Sequence, residues 1–307
     1  MTTAQNILKT LGYFDLFQYP LTKQEIYSFH TDDVEHATID IALQELLKDE
    51  YVFKLDEFYS LHNDQQLAER RRKGNSMAAD QLKTAGRVAK FLSRFPYVKA
   101  IAVSGSLSKN FATEKTDIDF FVVTASNRLW IARTCMHLYK KLTFLTGRQN
   151  WFCMNYYVDE EGLEIKEKNI FTAIEVATLL PMQGGSCMAE FVASNTWVKD
   201  FLPVHDTGKT TVPEIQKGLL AKFVEGLFKG RLGNYTDKML MHITQKRWQK
   251  KVLKQRLNSR GGYLGMVVDR HFSKPDPKNF QDKVVEGYRH KVEQLLQHKN
   301  TTLYMIA

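Results

Sequence analysis

The 307-residue sequence predicts an α+β fold, and two patterns support that class. Two strand-like apolar runs, 98–103 and 117–124, stand near the middle of the chain and are joined by a polar turn. Apolar residues at helical spacing occupy both flanks of this centre, which is typical of amphipathic helices. We therefore expect three units, 1–62, 63–203 and 204–307, of which the central one carries the sheet and the last is a basic helical domain.

The N-terminal unit is predicted to hold three helices followed by a β-hairpin. Thr22 and Glu25 form the sequence signature of a capping box, which starts a helix. Two short apolar runs, 51–54 and 58–61, predict the hairpin. This order of elements resembles a winged helix-turn-helix. The helix that would read DNA is acidic, with Asp40, Glu45, Asp49 and Glu50. Acidic side chains repel phosphate, so we expect an accessory or protein-contact role rather than DNA binding.

A long helix is predicted over 63–95, with Pro96 ending it before the first central strand. It carries a basic run at 70–73. Such a run is usually a solvated helix face, and the alternative is that it offers cations to a triphosphate.

The stretch between the two central strands holds the residues suited to chemistry. Gly105 directly follows the first strand, where the absence of a Cβ lets the backbone turn sharply and a phosphate approach its N–H groups. Ser106 adds a hydroxyl at the same point. Asp117 and Asp119 are two residues apart, so strand alternation places both carboxylates on one face. Mg²⁺ takes one or two carboxylates and completes its shell with water and phosphate oxygens, so this pair suits a divalent metal.

Gly-Ser is a common turn, and an Asp-x-Asp is often only a solvated strand end. The joint pattern is more specific: Gly105-Ser106, a spacer of ten residues, and then Asp117-Ile118-Asp119-Phe120. This pattern resembles the signature of the nucleotidyltransferase superfamily, which includes DNA polymerase beta and the CCA-adding enzymes. The same alternation that exposes the two carboxylates should turn Ile118 and Phe120 into a core.

The resemblance implies a mixed-sheet enzyme domain that transfers a nucleoside monophosphate from an NTP, such as ATP, to an acceptor hydroxyl and releases pyrophosphate. It implies that Asp117 and Asp119 are the catalytic residues and hold Mg²⁺ or Mn²⁺. It also implies that the nucleotide phosphates contact Ser104, Gly105, Ser106, Lys109 and Arg133.

The next predicted strand, 151–158, departs from the family pattern. Many members place a third carboxylate there, whereas this chain has Asn155, which is neutral and cannot act as a base. Three interpretations stay open: two-carboxylate catalysis, which we favour; an acceptor that is already deprotonated or very acidic; and a noncatalytic nucleotide-sensing or nucleic-acid-binding regulator. The sequence identifies neither the nucleotide nor the acceptor, which is RNA, protein or a small molecule.

The remaining elements are predicted as helices, with Pro181 and Gly184-Gly185 separating two of them within 169–202. Glu175 lies among apolar residues of the first of these two and is expected to be exposed or salt-bridged. The other helices are predicted over 127–145, 213–228, 235–257 and 282–298.

Charge is unevenly distributed along the chain. The net charge is +9, yet residues 204–307 alone contain 20 Lys and Arg against nine Asp and Glu. A surface of this sign attracts nucleic acid or nucleotide phosphates. Within it, Lys246-Arg247-Trp248-Gln249-Lys250-Lys251 combines an aromatic ring with cations, which suits single-stranded RNA. The alternative is that Trp248 is buried and the cations are solvated.

Composition indicates a globular protein of the cytoplasm. Hydrophobic residues make up 43% and charged residues 25% of the chain, which is ordinary for such domains. No run approaches the roughly 18 apolar residues of a membrane span, so we expect no membrane partner. No secretory signal is evident. The three cysteines, an odd and widely spaced set, read as reduced thiols: Cys135, Cys153 and Cys187.

Overall fold

The computed structural model describes residues 2–146, 149–206, 211–253, 265–276 and 279–306. A six-stranded sheet lies at its centre, and a three-stranded sheet lies near the N-terminus. Helices accompany both sheets, so the predicted α+β class is confirmed.

The N-terminal elements are three helices and three short strands. They are α1 (Thr3–Asp15), β1 (Leu21–Thr22), α2 (Lys23–Ser28), α3 (His36–Lys48), β2 (Phe53–Leu55) and β3 (Phe58–Ser60). The strands pair antiparallel in the order β1-β3-β2. The capping box of α2 is present: Thr22 Oγ1 accepts from the Glu25 N–H at 3.2 Å, and the Glu25 carboxylate accepts from the Thr22 N–H at 2.8 Å. Assignment of this part as a winged-helix unit stays a prediction.

The central sheet is mixed, as the resemblance implied. Its strands are β4 (Val98–Ser104), β5 (Asp119–Thr124), β6 (Cys153–Asp159), β7 (Leu180–Gln183), β8 (Gly265–Val268) and β9 (Phe272–Asp276). The order is β7-β4-β5-β6-β9-β8; β5 and β6 run parallel, and the other neighbours run antiparallel.

Eight further α-helices surround this sheet in the described residues. They are α4 (Gln65–Leu92), α5 (Gly105–Ser108), α6 (Leu129–Thr143), α7 (Ile170–Ala177), α8 (Gly185–Ser194), α9 (Leu219–Leu227), α10 (Gly230–Leu253) and α11 (Phe280–Ile306). Asp64 starts α4 by accepting from the Gln66 N–H at 3.0 Å. No helix in the described ranges is both long and apolar enough to cross a membrane.

One face of the sheet packs against α4 and α6. Ile118, Phe120 and Val122 are buried there in a cluster that also contains Leu92 and Trp130. The expected alternation of β5 is therefore confirmed, and it leaves the intervening Asp119 on the other side of the strand.

The opposite face packs against α7 and α8. Phe121 and Val123 are buried in a cluster that contains Ile174 and Phe191, and the same cluster extends to Leu8 of α1. The N-terminal helices therefore share a core with the central sheet.

Two parts of the sheet were not predicted. Residues Leu180–Gln183 were expected to be a break between helices, but they form β7 at the sheet edge. An edge strand tolerates Pro181 because a proline there need not donate to a neighbour. The C-terminal third was expected to be helical, yet two of its segments extend the sheet: β9 pairs with β6, and β8 pairs with β9. The last residues of the helix predicted over 235–257 lie outside the described residues.

The first and last helices are neighbours. The Tyr13 and Tyr288 rings lie 5.7 Å apart, and Lys291 pairs with Asp15 at 2.7 Å. Helix α11 therefore packs along α1.

Candidate active site

A cavity of about 730 Å³ lies where β4 ends and β5 and β6 begin. Helix α7 forms a second wall, and β9 together with the start of α11 forms a third. The polar lining residues are Ser104, Thr116, Asp117, Asp119, Asn155, Glu167, Thr172, Glu175, Lys274 and Gln281. The aromatic ones are Phe121, Tyr156, Phe171 and Phe280.

The turn at Gly105 is built against Asp119. Ser104 pairs with Asp119 across the β4–β5 ladder, and Gly105 follows with a φ of 71°, a conformation that favours glycine. A Cβ on Gly105 would lie 2.7 Å from Asp119 Oδ2. Only a residue without a side chain lets the turn approach this carboxylate.

The two predicted carboxylates line the same cavity, Asp117 exposed at its mouth and Asp119 partly buried at the start of β5. The pKa of Asp119 is raised to about 7, mainly by burial and in smaller part by the nearby negative charges of Asp117 and Glu175. A bound cation would favour the charged carboxylate, so this environment suits a metal ligand.

Asn155 occupies the position expected for a third carboxylate. Its Nδ2 donates to Asp119 Oδ1, and the Cys153 thiol donates to Asn155 Oδ1 at 3.0 Å. The β5–β6 register shifts here, since Phe120 pairs with Met154 whereas Phe121 pairs with Tyr156. Asn155 is thus the extra residue of a β-bulge, a device that re-aims side chains beside functional sites. Asn155 therefore places an amide beside Asp119, where a carboxylate could have acted as a general base.

Lys109 lies behind the turn. Its Nζ donates to the Gly105 carbonyl at 3.1 Å and to Glu175 Oε1 at 2.8 Å. Lys109 is therefore an ion-pair partner that also holds the turn, and it is not among the cavity-lining residues. Ser106 is exposed and likewise does not line the cavity.

Arg133 lies apart from these residues. Its guanidinium carbon is 5.4 Å from the Trp130 ring centre and 4.9 Å from that of Trp248. The side chain is buried between α6 and α10, and burial lowers its pKa. The structure brings Ser104, Gly105, Asp117 and Asp119 to one cavity and does not bring Arg133 there.

Glu175 lines the cavity, which the sequence reasoning did not expect, although its predicted ion pair is present. The signal lies in α7 and its C-terminal turn, where the cavity-lining residues recur at helical spacing: Phe171, Thr172, Glu175, Val176 and Leu179. A single carboxylate on an apolar helical face indicates a charge that must be paired or hydrogen-bonded by another part of the protein or by a ligand.

The C-terminal part supplies the other residues that were missed. Lys274 of β9 donates to Gln281 Oε1 of α11, and its Nζ lies 3.9 Å from Glu167. Among the residues lining this cavity, Lys274 is the only cation, against four carboxylates. Nucleotide phosphates would therefore need additional positive charge here.

The donor set fits a divalent ion held in part by its substrate. No group of three or more His, Cys, Asp or Glu side chains suited to a metal occurs within the described part of the chain. Two carboxylates in a roomy acidic cavity are what Mg²⁺ needs when water and phosphate oxygens complete its shell.

Comparison with known proteins identifies the domain. No curated protein and no solved structure significantly matches the chain. A family model described as nucleotidyltransferase domain matches residues 86–179, a segment that includes the Gly105 turn, both carboxylates and Asn155. The resemblance to the nucleotidyltransferase superfamily is thereby confirmed for residues 86–179.

Proposed function

We propose that the domain transfers a nucleoside monophosphate from an NTP to an acceptor hydroxyl and releases pyrophosphate. The observation that carries the proposal is the meeting of the Gly105 turn with Asp117 and Asp119 in one cavity of about 730 Å³. This volume is within the range of small-molecule sites, roughly 300 to 1,000 Å³.

Asp117 and Asp119 would hold Mg²⁺ or Mn²⁺ in this proposal. When bound, such an ion stabilises charge that develops on the transferred phosphoryl group and lowers the pKa of the attacking hydroxyl. The Asn155 amide orients Asp119 by donating to Oδ1, so that Oδ2 stays on the side of the Gly105 turn.

The turn itself would hold the β- and γ-phosphates. Gly105 begins the short helix α5, and the first N–H groups of a helix have no partner within it. Ser104 lines the cavity beside Gly105, whereas Ser106 lies outside its lining. Lys109 supports the turn from behind through the Gly105 carbonyl, which makes it a positioning residue.

The test uses purified protein incubated with each α-³²P-labelled NTP and Mg²⁺, alone, with total tRNA and with cell lysate. We expect label on one class of acceptor, and its loss in the Asp117→Ala/Asp119→Ala variant. The matched control is Asp80→Asn, since Asp80 is an exposed residue of α4 far from the motif in sequence. Transfer that survives the double substitution would reject the proposed roles of these carboxylates.

RNA is the acceptor that the charge of the C-terminal third favours. Lys246, Arg247 and Lys250 are exposed on α10, while the Trp248 ring is partly covered by Arg133. Replacing these three cations by Gln should weaken RNA binding and flatten its salt dependence. Unchanged RNA binding would point to a protein or small-molecule acceptor.

A noncatalytic nucleotide sensor is the second candidate, and Asn155 is the observation that favours it, because it places no base beside Asp119. NTP binding by calorimetry without transfer to any acceptor would select this function.

A further inference from the structure

Helices α9 and α10 expose an unusual set of large apolar side chains. Their exposed fractions run from 39% for Ile243 to 87% for Leu219. We call this set the apolar stripe: Leu219, Leu220, Phe223 and Leu227 of α9, and Leu232, Tyr235, Met239 and Ile243 of α10. Single exposed apolar residues are normal, whereas several that recur on one side of a helix mark an interaction surface.

The stripe is separate from the packed side of α10. Leu232, Tyr235, Met239 and Ile243 follow one another at intervals of three and four residues, so they share one side of the helix. The buried Asp237 lies on another side, where its carboxylate accepts from the Ile131 N–H of α6 at 2.9 Å. Helix α10 thus presents one side to the fold and an apolar side to solvent.

Positive charge surrounds the stripe. The exposed cations along it are Lys222, Lys229, Arg231 and Lys238. Its two acidic residues point into the fold: Glu225 accepts from the Tyr97 N–H at 2.7 Å, and Asp237 is buried. Between residues 219 and 250 the exposed charged side chains are therefore all basic.

The positive charge around the apolar stripe indicates which kind of partner binds it. Two copies of the stripe facing each other would bring like charges together, which disfavours a dimer through this surface. Lysine is depleted in protein–protein interfaces but is typical of the polar side of helices that lie on membranes. Tyr235 adds an aromatic ring with a polar end, which suits the boundary between lipid and water.

We propose that α9 and the first half of α10 dock on an anionic lipid surface. The apolar stripe enters the boundary between headgroups and acyl chains, and the surrounding lysines bind the anionic headgroups. Such docking needs no membrane-spanning helix. It revises the expectation of no membrane partner, which considered only apolar runs long enough to span. The proposal does not depend on nucleotide transfer.

The test is co-sedimentation of the full chain with vesicles of phosphatidylcholine containing 30% phosphatidylglycerol, compared with pure phosphatidylcholine. We expect binding to the anionic vesicles that falls as salt rises from 50 to 500 mM. The Leu219→Ser/Leu220→Ser/Phe223→Ser variant should bind at least about tenfold more weakly, because its three side chains no longer enter the lipid.

The matched control is Leu142→Ser/Leu145→Ser, since these leucines are 62% and 87% exposed at the end of α6 and just beyond it, outside the stripe. It should bind vesicles like the wild type. Absence of binding to anionic vesicles, or equal binding by the triple variant, would overturn the proposal. A dimer seen by light scattering that the triple variant abolishes, together with absent vesicle binding, would assign the stripe to a second copy.

Discussion

Asp119 and Asp159 belong to the neighbouring parallel strands β5 and β6. Asp119 is the first residue of β5 and Asp159 is the last residue of β6, so they lie at opposite ends of these strands. Asp159 is fully buried, and both its oxygens have donors. Oδ1 accepts from the Glu161 N–H at 3.0 Å, Oδ2 accepts from the Asn127 N–H at 2.9 Å, and His271 Nδ1 lies 3.0 Å from each. Asp119 Oδ1 accepts from Asn155, while its Oδ2 lies against the side-chain-free turn at Gly105.

The difference separates a structural carboxylate from a binding one. Asp159 ties three segments together: the end of β6, the turn before α6 and the turn between β8 and β9. Its bonding capacity is used within the protein. Asp119 keeps an oxygen available in a cavity, where a ligand can complete its shell.

The largest effect is expected from Asp119→Asn. The amide keeps an acceptor for Asn155 Nδ2, so the fold should remain, but the site loses a negative ligand. We expect nucleotide transfer to fall at least about 100-fold, with the free energy of unfolding changed by less than about 1 kcal/mol. Labelled-NTP kinetics and urea denaturation measure the two quantities. A large loss of stability would show that Asp119 is structural like Asp159.

Asp159→Asn should behave in the opposite way. One acceptor oxygen becomes an NH₂ group that faces an N–H donor, leaving buried groups without partners. We expect the free energy of unfolding to fall by about 1–3 kcal/mol while transfer by the folded fraction is retained. Asp80→Asn is again the control, because exposed ion pairs contribute little to stability. Wild-type stability of Asp159→Asn would remove the contrast between the two carboxylates.

Asn155→Asp tests the same comparison from the side of the cavity, next to Asp119. A second carboxylate in contact with Asp119 adds repulsion that a divalent cation relieves. Without metal, we expect the free energy of unfolding of the variant to be lower than that of the wild type by about 1–2 kcal/mol at pH 7.5. Mg²⁺ at 5 mM should raise the melting temperature of the variant more than that of the wild type. Equal responses to Mg²⁺ would argue against a metal beside Asp119.

The smallest effect concerns Asp237, a buried carboxylate that accepts from the Ile131 N–H at the start of α6. Burial raises its pKa to about 6, above the ordinary value of 3.8. Its protonated form is favoured in the folded state, so this contribution to stability is complete below about pH 3.8 and is lost as pH rises through about 6. Asp237→Asn should remove this pH dependence of the free energy of unfolding, because an amide does not titrate. Urea denaturation between pH 4 and 6.5 tests this, and an unchanged slope would contradict it.

The motif could be predicted because its parts are close in sequence. Gly105 directly follows β4, Asp119 begins β5 and Asp117 lies two residues before it, so local spacing brings the three together. Glu175 and Lys274 reach the same cavity through the packing of α7 and the return of β9 to the sheet. Helical spacing groups Glu175 with one side of α7, but no local pattern shows that this side faces Asp119.

Arg133 shows the limit of the same reasoning. Its position after the second strand suggested a phosphate contact, but the rotation of α6 about its axis decides where the side chain points. That rotation depends on packing against α10, which places the guanidinium between two tryptophans.

The packing of α11 along α1 also bears on how the protein is made. Helix α1 has an apolar side, with Tyr13 among its residues, and its partner α11 is synthesised only after all the elements between them. The third wall of the cavity arrives equally late, with β9 and the start of α11. Contacts between such distant segments form slowly. A nascent chain halted before β9 would therefore carry both carboxylates and the glycine turn in an open, incomplete cavity.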